Sequence, residues 1–236
     1  AQEEDGVWQV PLNLSRSGAT SDPRMVVDSS GDLHVLWRED AVNSFYYTHT
    51  IDGQWQKVIP VEVPFGTDRY LREELGERFD ERDPIPLFTP ELVADGDGRL
   101  HAVWTDGENN LYHSSVTAGD FDNYESWSAR RFASDSATGF SLAVDNRNAL
   151  HLIYVDNSDT PEIPAGIYYR RLSSNGESWS NPVALFNSAY YRAAGEDDLN
   201  MQIRAGRLPG DESGIYVVLD NRPFEEVLLI RSADRG

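Results

Sequence analysis

The sequence has no cysteine among its 236 residues, so neither a disulfide framework nor a thiolate metal site is available to it. No apolar run approaches the length of a membrane-spanning helix. Lysine is almost missing: of the 20 basic residues only Lys57 is not an arginine, a skew that fits genomic bias and points to no function. Positive charge is scarce altogether, with 40 acidic residues and a formal net charge of −20. A field of that sign repels phosphate backbones and anionic lipid, which argues against nucleic acid or a membrane surface as partner. Aromatic residues are not scarce. With 6 Trp, 11 Tyr and 9 Phe in a chain that is 39% hydrophobic, a packed core is expected and disorder is not. The length suits a single all-β domain spanning residues 1–236.

What is present is repetition. Segments 26–37, 92–104 and 142–154 each read as an apolar run, a turn rich in Asp, Asn and Gly, and a second apolar run opened by Leu-His. The repeated histidines are His34, His101 and His151, and the turn aspartates are Asp28, Asp95 and Asp145. Each copy continues into an aromatic strand (Phe45-Tyr46-Tyr47, Leu111-Tyr112-His113 and Ile167-Tyr168-Tyr169) and then a strand opening at Trp55, Trp127 or Trp179. A fourth, weaker copy contains Met201-Gln202-Ile203, the run 214–220 and the run 226–231.

Short β-rich runs separated by Asp/Asn/Gly turns are antiparallel strands joined by hairpins, here four to a unit and lettered A to D. The B strands are apolar at nearly every position, so both of their faces must be covered. Radial stacking of sheets gives that cover, and a four-strand repeat has the size of a propeller blade. The expected fold is therefore an all-β propeller of four-stranded antiparallel blades, with four repeats visible. Residues 7–12 match a D strand, and the fourth copy has A, B and C only. Either the N-terminal strand completes the last blade, or the chain is cut from a longer propeller. The turn-like end at Ser232 to Gly236 favours the cut.

At the C–D turns the sequence resembles the sialidase-like propellers with bacterial neuraminidase repeats. Their Asp-box turn has the form Ser-x-Asp-x-Gly-x-x-Trp. Ser232, Asp234 and Gly236 match it up to the end of the chain, and 174–179 and 51–55 are degenerate versions. The box supports its own hairpin and carries no chemistry. A sialidase would further imply an arginine triad, a Tyr nucleophile activated by Glu, and an Asp acid/base. The triad's signature is Arg-Ile-Pro at the start of an A strand. The corresponding prolines here are Pro23 and Pro90, preceded at that spacing by Ser21 and Phe88, so the arginine is absent.

Function in a repeat protein is sought where the copies differ. Insertions 60–88, 156–165 and 186–200 join D to A or B to C, and in an antiparallel blade these connections leave the same face. Tyr190, Tyr191 and Arg192 set two rings beside a guanidinium, as in a sugar or peptide platform, and Arg69 and Tyr70 lie in the first insertion. Asp40, Asp106, Asp156 and Asp220 follow the B strands and could ring a central mouth, although turn capping by Asp accounts for them as well. The histidines, placed alike in three blades, diverge around a ring and are expected to be structural, not metal ligands. No cofactor is required. Calcium at the Asp turns is conceivable, but hairpin chemistry explains those turns fully. The short polar N-terminus suits a mature end after removal of a signal peptide, hence an extracellular or periplasmic bacterial protein. The reading is a non-catalytic module binding carbohydrate or protein on the insertion face. The alternatives are a glycan-cleaving hydrolase or lyase and a structural propeller within a larger surface protein.

Overall fold

The computed structural model describes residues 10–66, 87–173, 176, 178–195, 200–206 and 214–232. The described chain is all-β, with four antiparallel sheets following one another in sequence order. Sheet I holds β1 (Thr20–Val27), β2 (Leu33–Glu39), β3 (Ser44–Ile51), β4 (Gln54–Trp55) and β5 (Ile59–Val61). Sheet II holds β6 (Glu91–Ala94), β7 (Arg99–Thr105), β8 (Leu111–Thr117) and β9 (Arg131–Ser134). Sheet III holds β10 (Ala137–Val144), β11 (Leu150–Asp156), β12 (Gly166–Leu172) and β13 (Val183–Asn187). Sheet IV holds β14 (Met201–Gly206), β15 (Gly214–Asn221) and β16 (Glu226–Ser232).

The first strands touch in succession, β1 with β6, β6 with β10 and β10 with β14. Three cores lie between the sheets. Leu36, Phe45 and Tyr47 of sheet I pack with Leu100, Ala102 and Trp104 of sheet II. Val103 and Leu111 of sheet II pack with Leu150, Leu152 and Tyr154 of sheet III. Ile153 and Val155 of sheet III pack with Ile203, Ile215 and Val217 of sheet IV. Strands β7 and β11 thus feed alternate residues into the cores on either side of them, which is why they are apolar throughout. Among the described residues the outer faces have no such neighbour: Met25 (65% exposed) and Val27 on sheet I, and Val227 (75%) and Leu229 on sheet IV, face outward.

The fourth strands depart from expectation. The residue after each Trp donates its N–H to the C strand, Gln56 to His49, Ser128 to Ser115 and Ser180 to Arg171, all at 2.8 Å. The regular D strands, β5, β9 and β13, each begin four residues beyond the Trp. A tripeptide break in the ladder separates the Trp from the strand it was expected to open. Of the candidate N-terminal strand, Val10 to Leu12 lie in no strand and are exposed, and the rest is outside the described residues.

One hydrogen-bonded unit recurs in sheets I to III. Oδ1 of Asp28 accepts the N–H groups of Ser30 and Asp32, Oδ1 of Asp95 those of Asp97 and Arg99, and Oδ1 of Asp145 those of Arg147 and Ala149, all at 2.8–2.9 Å. The fourth turn position has positive φ and is filled by Gly31, Gly98 and Asn148, residue types that tolerate it. The second carboxylate oxygen meets the Nε2 of His34, His101 or His151 at 3.2, 3.2 and 3.3 Å. The opposite ring nitrogen, Nδ1, then meets Tyr47 Oη at 2.6 Å, His113 Nε2 at 3.0 Å and Tyr169 Oη at 2.8 Å. Each unit lies within one sheet and its histidine is buried, so the three rings do not converge. Among the described residues no cluster of three or more His, Asp or Glu side chains is placed to hold a metal ion.

Burial pulls the His34 and His151 pKa values below 6.5, only partly offset by their aspartates. It pulls His113 well below, with help from His101, Arg131 and Arg99. Burial pushes the three aspartates up, but hydrogen bonds from the histidines and turn N–H groups more than reverse this.

Two outcomes follow. Asp145→Ala strands two N–H groups and a buried imidazole, and should cost about 2–4 kcal/mol in chemical denaturation. His34, His113 and His151 protonate more readily once unfolded, because burial holds their pKa values down in the fold. Stability should be full above pH 6.5 and fall as pH drops below it, at up to about 1.4 kcal/mol per pH unit for each histidine. A second loss should begin below about pH 4, where the aspartates of the unfolded chain take up protons first. Melting temperatures across pH 3 to 8 test both windows.

Candidate ligand cleft at the inner strands

The first strands of the four sheets meet at one open cleft of about 880 Å³. Arg24 comes from β1, Thr89 and Glu91 from the entry to β6, Phe140 from β10, and Asn200, Met201 and Gln202 from the entry to β14. Asp220, near the end of β15, closes one side. The floor between sheets I and II is pinned by Arg24, whose Nε donates to the Pro90 carbonyl at 2.9 Å and whose Nη1 donates to Pro23 at 3.1 Å. Thr89 Oγ1 donates to Asp22 at 3.2 Å across the same seam. On the far wall the Asp220 N–H donates to Asn200 O at 2.9 Å, and its carboxylate accepts from Arg222 at 3.3 Å. The cleft offers a guanidinium, two carboxylates and two amides beside one aromatic ring.

Several residues singled out in the sequence do other work. Asp106 caps its own turn, accepting the N–H groups of Glu108 and Asn110 at 2.9 Å. Asp156 is 2% exposed and accepts from the Ser158 N–H at 3.0 Å and Oγ at 2.5 Å. Asp40 holds Ser21 and Arg38. Of the four aspartates that follow B strands, only Asp220 lines the cleft; Asp40, Asp106 and Asp156 are used by their own turns and neighbours.

Tyr190, Tyr191 and Arg192 form the 3₁₀ turn Ala189–Arg192, started by Ser188 Oγ accepting the Tyr190 N–H at 3.3 Å. Tyr191 is 2% exposed and sits in the core between sheets III and IV, edge-on to Tyr190 and Phe186. Its faces are occupied by protein, so it cannot stack on a ligand. Burial first, then Tyr190 and Asp220, pushes its hydroxyl pKa up to about 12, which keeps it protonated. Tyr190 is half-buried against the same core, and the exposed Arg192 is paired with Asp159 at 2.5 Å. That pair links the described parts of insertions 156–165 and 186–200 at one point. Arg69 and Tyr70 lie outside the described residues, as do Asp234 and Gly236 of the Asp-box match.

Sequence reasoning missed Glu91, Phe140, Asn200 and Gln202. A signal was present. Comparison with the Arg-Ile-Pro pattern drew attention to Pro23 and Pro90, and the residue after each proline, Arg24 and Glu91, lines the cleft. Arg204, by contrast, turns back to its own Ile203 carbonyl at 2.8 Å. Among the described residues Arg24 is the one arginine lining the cleft.

No protein-family model matches the sequence, and no curated protein matches it. Solved structures do. The BP39L lectin from Burkholderia pseudomallei is 13% identical, with 98% of this chain and 58% of that one covered and a TM-score of 0.56. The fungal lectin from Aleuria aurantia, a six-bladed β-propeller that recognises fucose, is 12% identical over 87% of this chain and 54% of that one, with a TM-score of 0.48. The α-L-arabinofuranosidase Arb93A from Fusarium graminearum is 15% identical over 93% and 64%, with a TM-score of 0.49. The chain thus spans a little over half the length of the two lectins. The likeness to BP39L defines a shared fold and, at this identity, nothing finer.

Tyr191 and Arg192 should separate in mutants. Tyr191→Ala should lose about 3–5 kcal/mol of stability, while Arg192→Ala should change it by less than about 1 kcal/mol because its ion pair is solvent-screened. Denaturant midpoints of the two variants check this.

Proposed function

We propose that the chain is a β-propeller unit of sialidase-like type that binds carbohydrate, without cleaving it, in the cleft at the inner strands. The observation that carries this reading is the cleft itself. It is concave, and its donors and acceptors come from the first strands of successive sheets around one ring, Phe140. Few polar groups converging in a pocket with an aromatic wall suit the paired hydroxyls and apolar face of a pyranose. The succession of inner strands, the three inter-sheet cores and the repeat length support the propeller. That both a lectin and glycan-acting enzymes resemble the fold makes a glycan the natural ligand class. The net charge of −20 favours a neutral one. An extracellular or periplasmic setting fits such a ligand.

Glycan cleavage is the second reading, favoured by the presence of Glu91 and Asp220 in the same cleft. Sialic acid is the poorest candidate substrate: the single guanidinium in the cleft has two nitrogens committed to main-chain carbonyls, leaving no arginine cluster to clamp a carboxylate.

A glycan array followed by a hydrolysis assay on every bound sugar separates the readings. The expected result is retention of a neutral glycan with no release of product, and no sialic acid freed from simple glycosides. Gln202→Ala should weaken retention about tenfold, the loss of one or two hydrogen bonds. Turnover that disappears in Glu91→Gln would establish the enzyme instead. Retention unchanged in Gln202→Ala would move the site out of the cleft.

A further inference from the structure

The Asp–His relay differs in one of its three copies, and the difference coincides with a cavity. In sheets I and III the relay ends on a phenol, Tyr47 or Tyr169, whose O–H donates to the histidine Nδ1. In sheet II it ends on His113. The register of the sheets identifies two further changes around it. Arg99 stands where the other turns have Asp32 and Ala149. Arg131, paired with His113 across the sheet, stands where the partners of Tyr47 and Tyr169 are Ile59 and Val183. All three substitutions put nitrogen where the other copies have none. Their side chains line one cavity of about 310 Å³ between sheets II and III, at the A–B turn end and so away from the cleft described above.

The protonation pattern defines what this cavity lacks. His101 Nε2 faces Asp95 at 3.2 Å; the carboxylate accepts, which assigns the proton of a singly protonated His101 to Nε2 and leaves Nδ1 as an acceptor. His113 Nε2 must therefore donate to it, which leaves the lone pair on His113 Nδ1. The ring is 1% exposed, and among the described residues Nδ1 has no hydrogen-bond partner. Buried acceptors without a donor are rare and call for an explanation. Asp95, the acidic residue on the wall, is saturated by two N–H groups and His101. Arg99 is held in place by Nη2 donating to Ser115 Oγ at 2.7 Å.

We propose that this cavity binds a small oxyanion that also carries a hydroxyl: the negative oxygens meet Arg99 and Arg131, and the O–H donates to His113 Nδ1. The shared chemistry covers a hydroxycarboxylate and hydrogen phosphate. A chain with twice as many acidic as basic residues repels such ions everywhere else, so two guanidiniums in one enclosure are a local exception.

Calorimetric titration of the full chain at low salt, with glycolate, inorganic phosphate, acetate and glycerol as probes, tests it. Glycolate or phosphate should bind. Acetate should bind about tenfold more weakly than glycolate for want of the hydroxyl, and glycerol should not bind for want of charge. His113→Tyr restores the phenol of the other copies and should keep the melting temperature while losing binding about tenfold or more. Arg131→Val, the residue of sheet III, should lose it comparably with the relay intact. The ¹⁵N resonance of His113 Nδ1 should shift on saturation. Absence of binding by both glycolate and phosphate overturns the proposal. So does binding that survives Arg131→Val at full strength, or that leaves the His113 resonance unmoved.

Discussion

A strand that is apolar on both faces cannot stand at a surface, and the rest of the architecture follows from that constraint. β7 and β11 each place alternate side chains in two different cores, so sheets II and III need a sheet on either side. Hairpin connections leave each new sheet beside the last, and the inner strands come into contact in sequence order. Into these apolar strands the sequence inserts a histidine, which would be costly alone. The turn aspartate compensates. One oxygen organises the turn and the other meets the imidazole, so the hairpin and the core it enters are fixed by the same carboxylate. Turn and core then form one cooperative unit, and the unit can be copied.

That local character explains what could be read in advance. Turn, B strand and C strand are contiguous, so their chemistry shows in any one copy and is confirmed by the others. The D strands were less legible because the Trp that marks them lies before a break in the ladder, and the regular pairing starts later. Tyr190-Tyr191-Arg192 misled for a related reason. In a 3₁₀ turn successive residues point about a third of a turn apart, so three neighbours cannot share one face: Tyr191 falls inward, Tyr190 lies at the core's edge and Arg192 faces solvent. The cleft was hardest of all. It is assembled from the first strands of four sheets, each contributing one or two residues that look unremarkable where they stand. Only the position after Pro23 and Pro90 hinted at it.

The copies also show how a repeat acquires a site. A scaffold position filled three times under one constraint is structural. When one copy breaks the pattern at several positions that meet in space, the scaffold requirement no longer explains the residues chosen. His113, Arg99 and Arg131 satisfy that condition at one end of the sheets. At the other end the A strands differ as well: Arg24 and Glu91 hold one register position, where β10 has Ser141, and Phe140 and Gln202 join them at the cleft from their own strands. Such unlike side chains on a repeated frame are what an asymmetric ligand asks for.

The charge of the chain takes on a different meaning in this light. Asp28, Asp95, Asp106, Asp145 and Asp156 all use Oδ1 to accept an N–H group two residues on. An architecture of hairpins needs many such turns, and Asp supplies both the turn and, in three sheets, the partner for a buried imidazole. Much of the acidity is therefore committed to backbone donors before any ligand arrives. Net charge reports how the sheets are connected more than what they bind. It still acts at a distance, since the field is summed over all carboxylates whatever their hydrogen bonds. The local rule and the long-range rule thus pull apart: turns favour more Asp, while any anionic ligand requires arginine gathered tightly enough to overcome it. Between sheets II and III that gathering occurs, with Arg99 and Arg131 lining one enclosure.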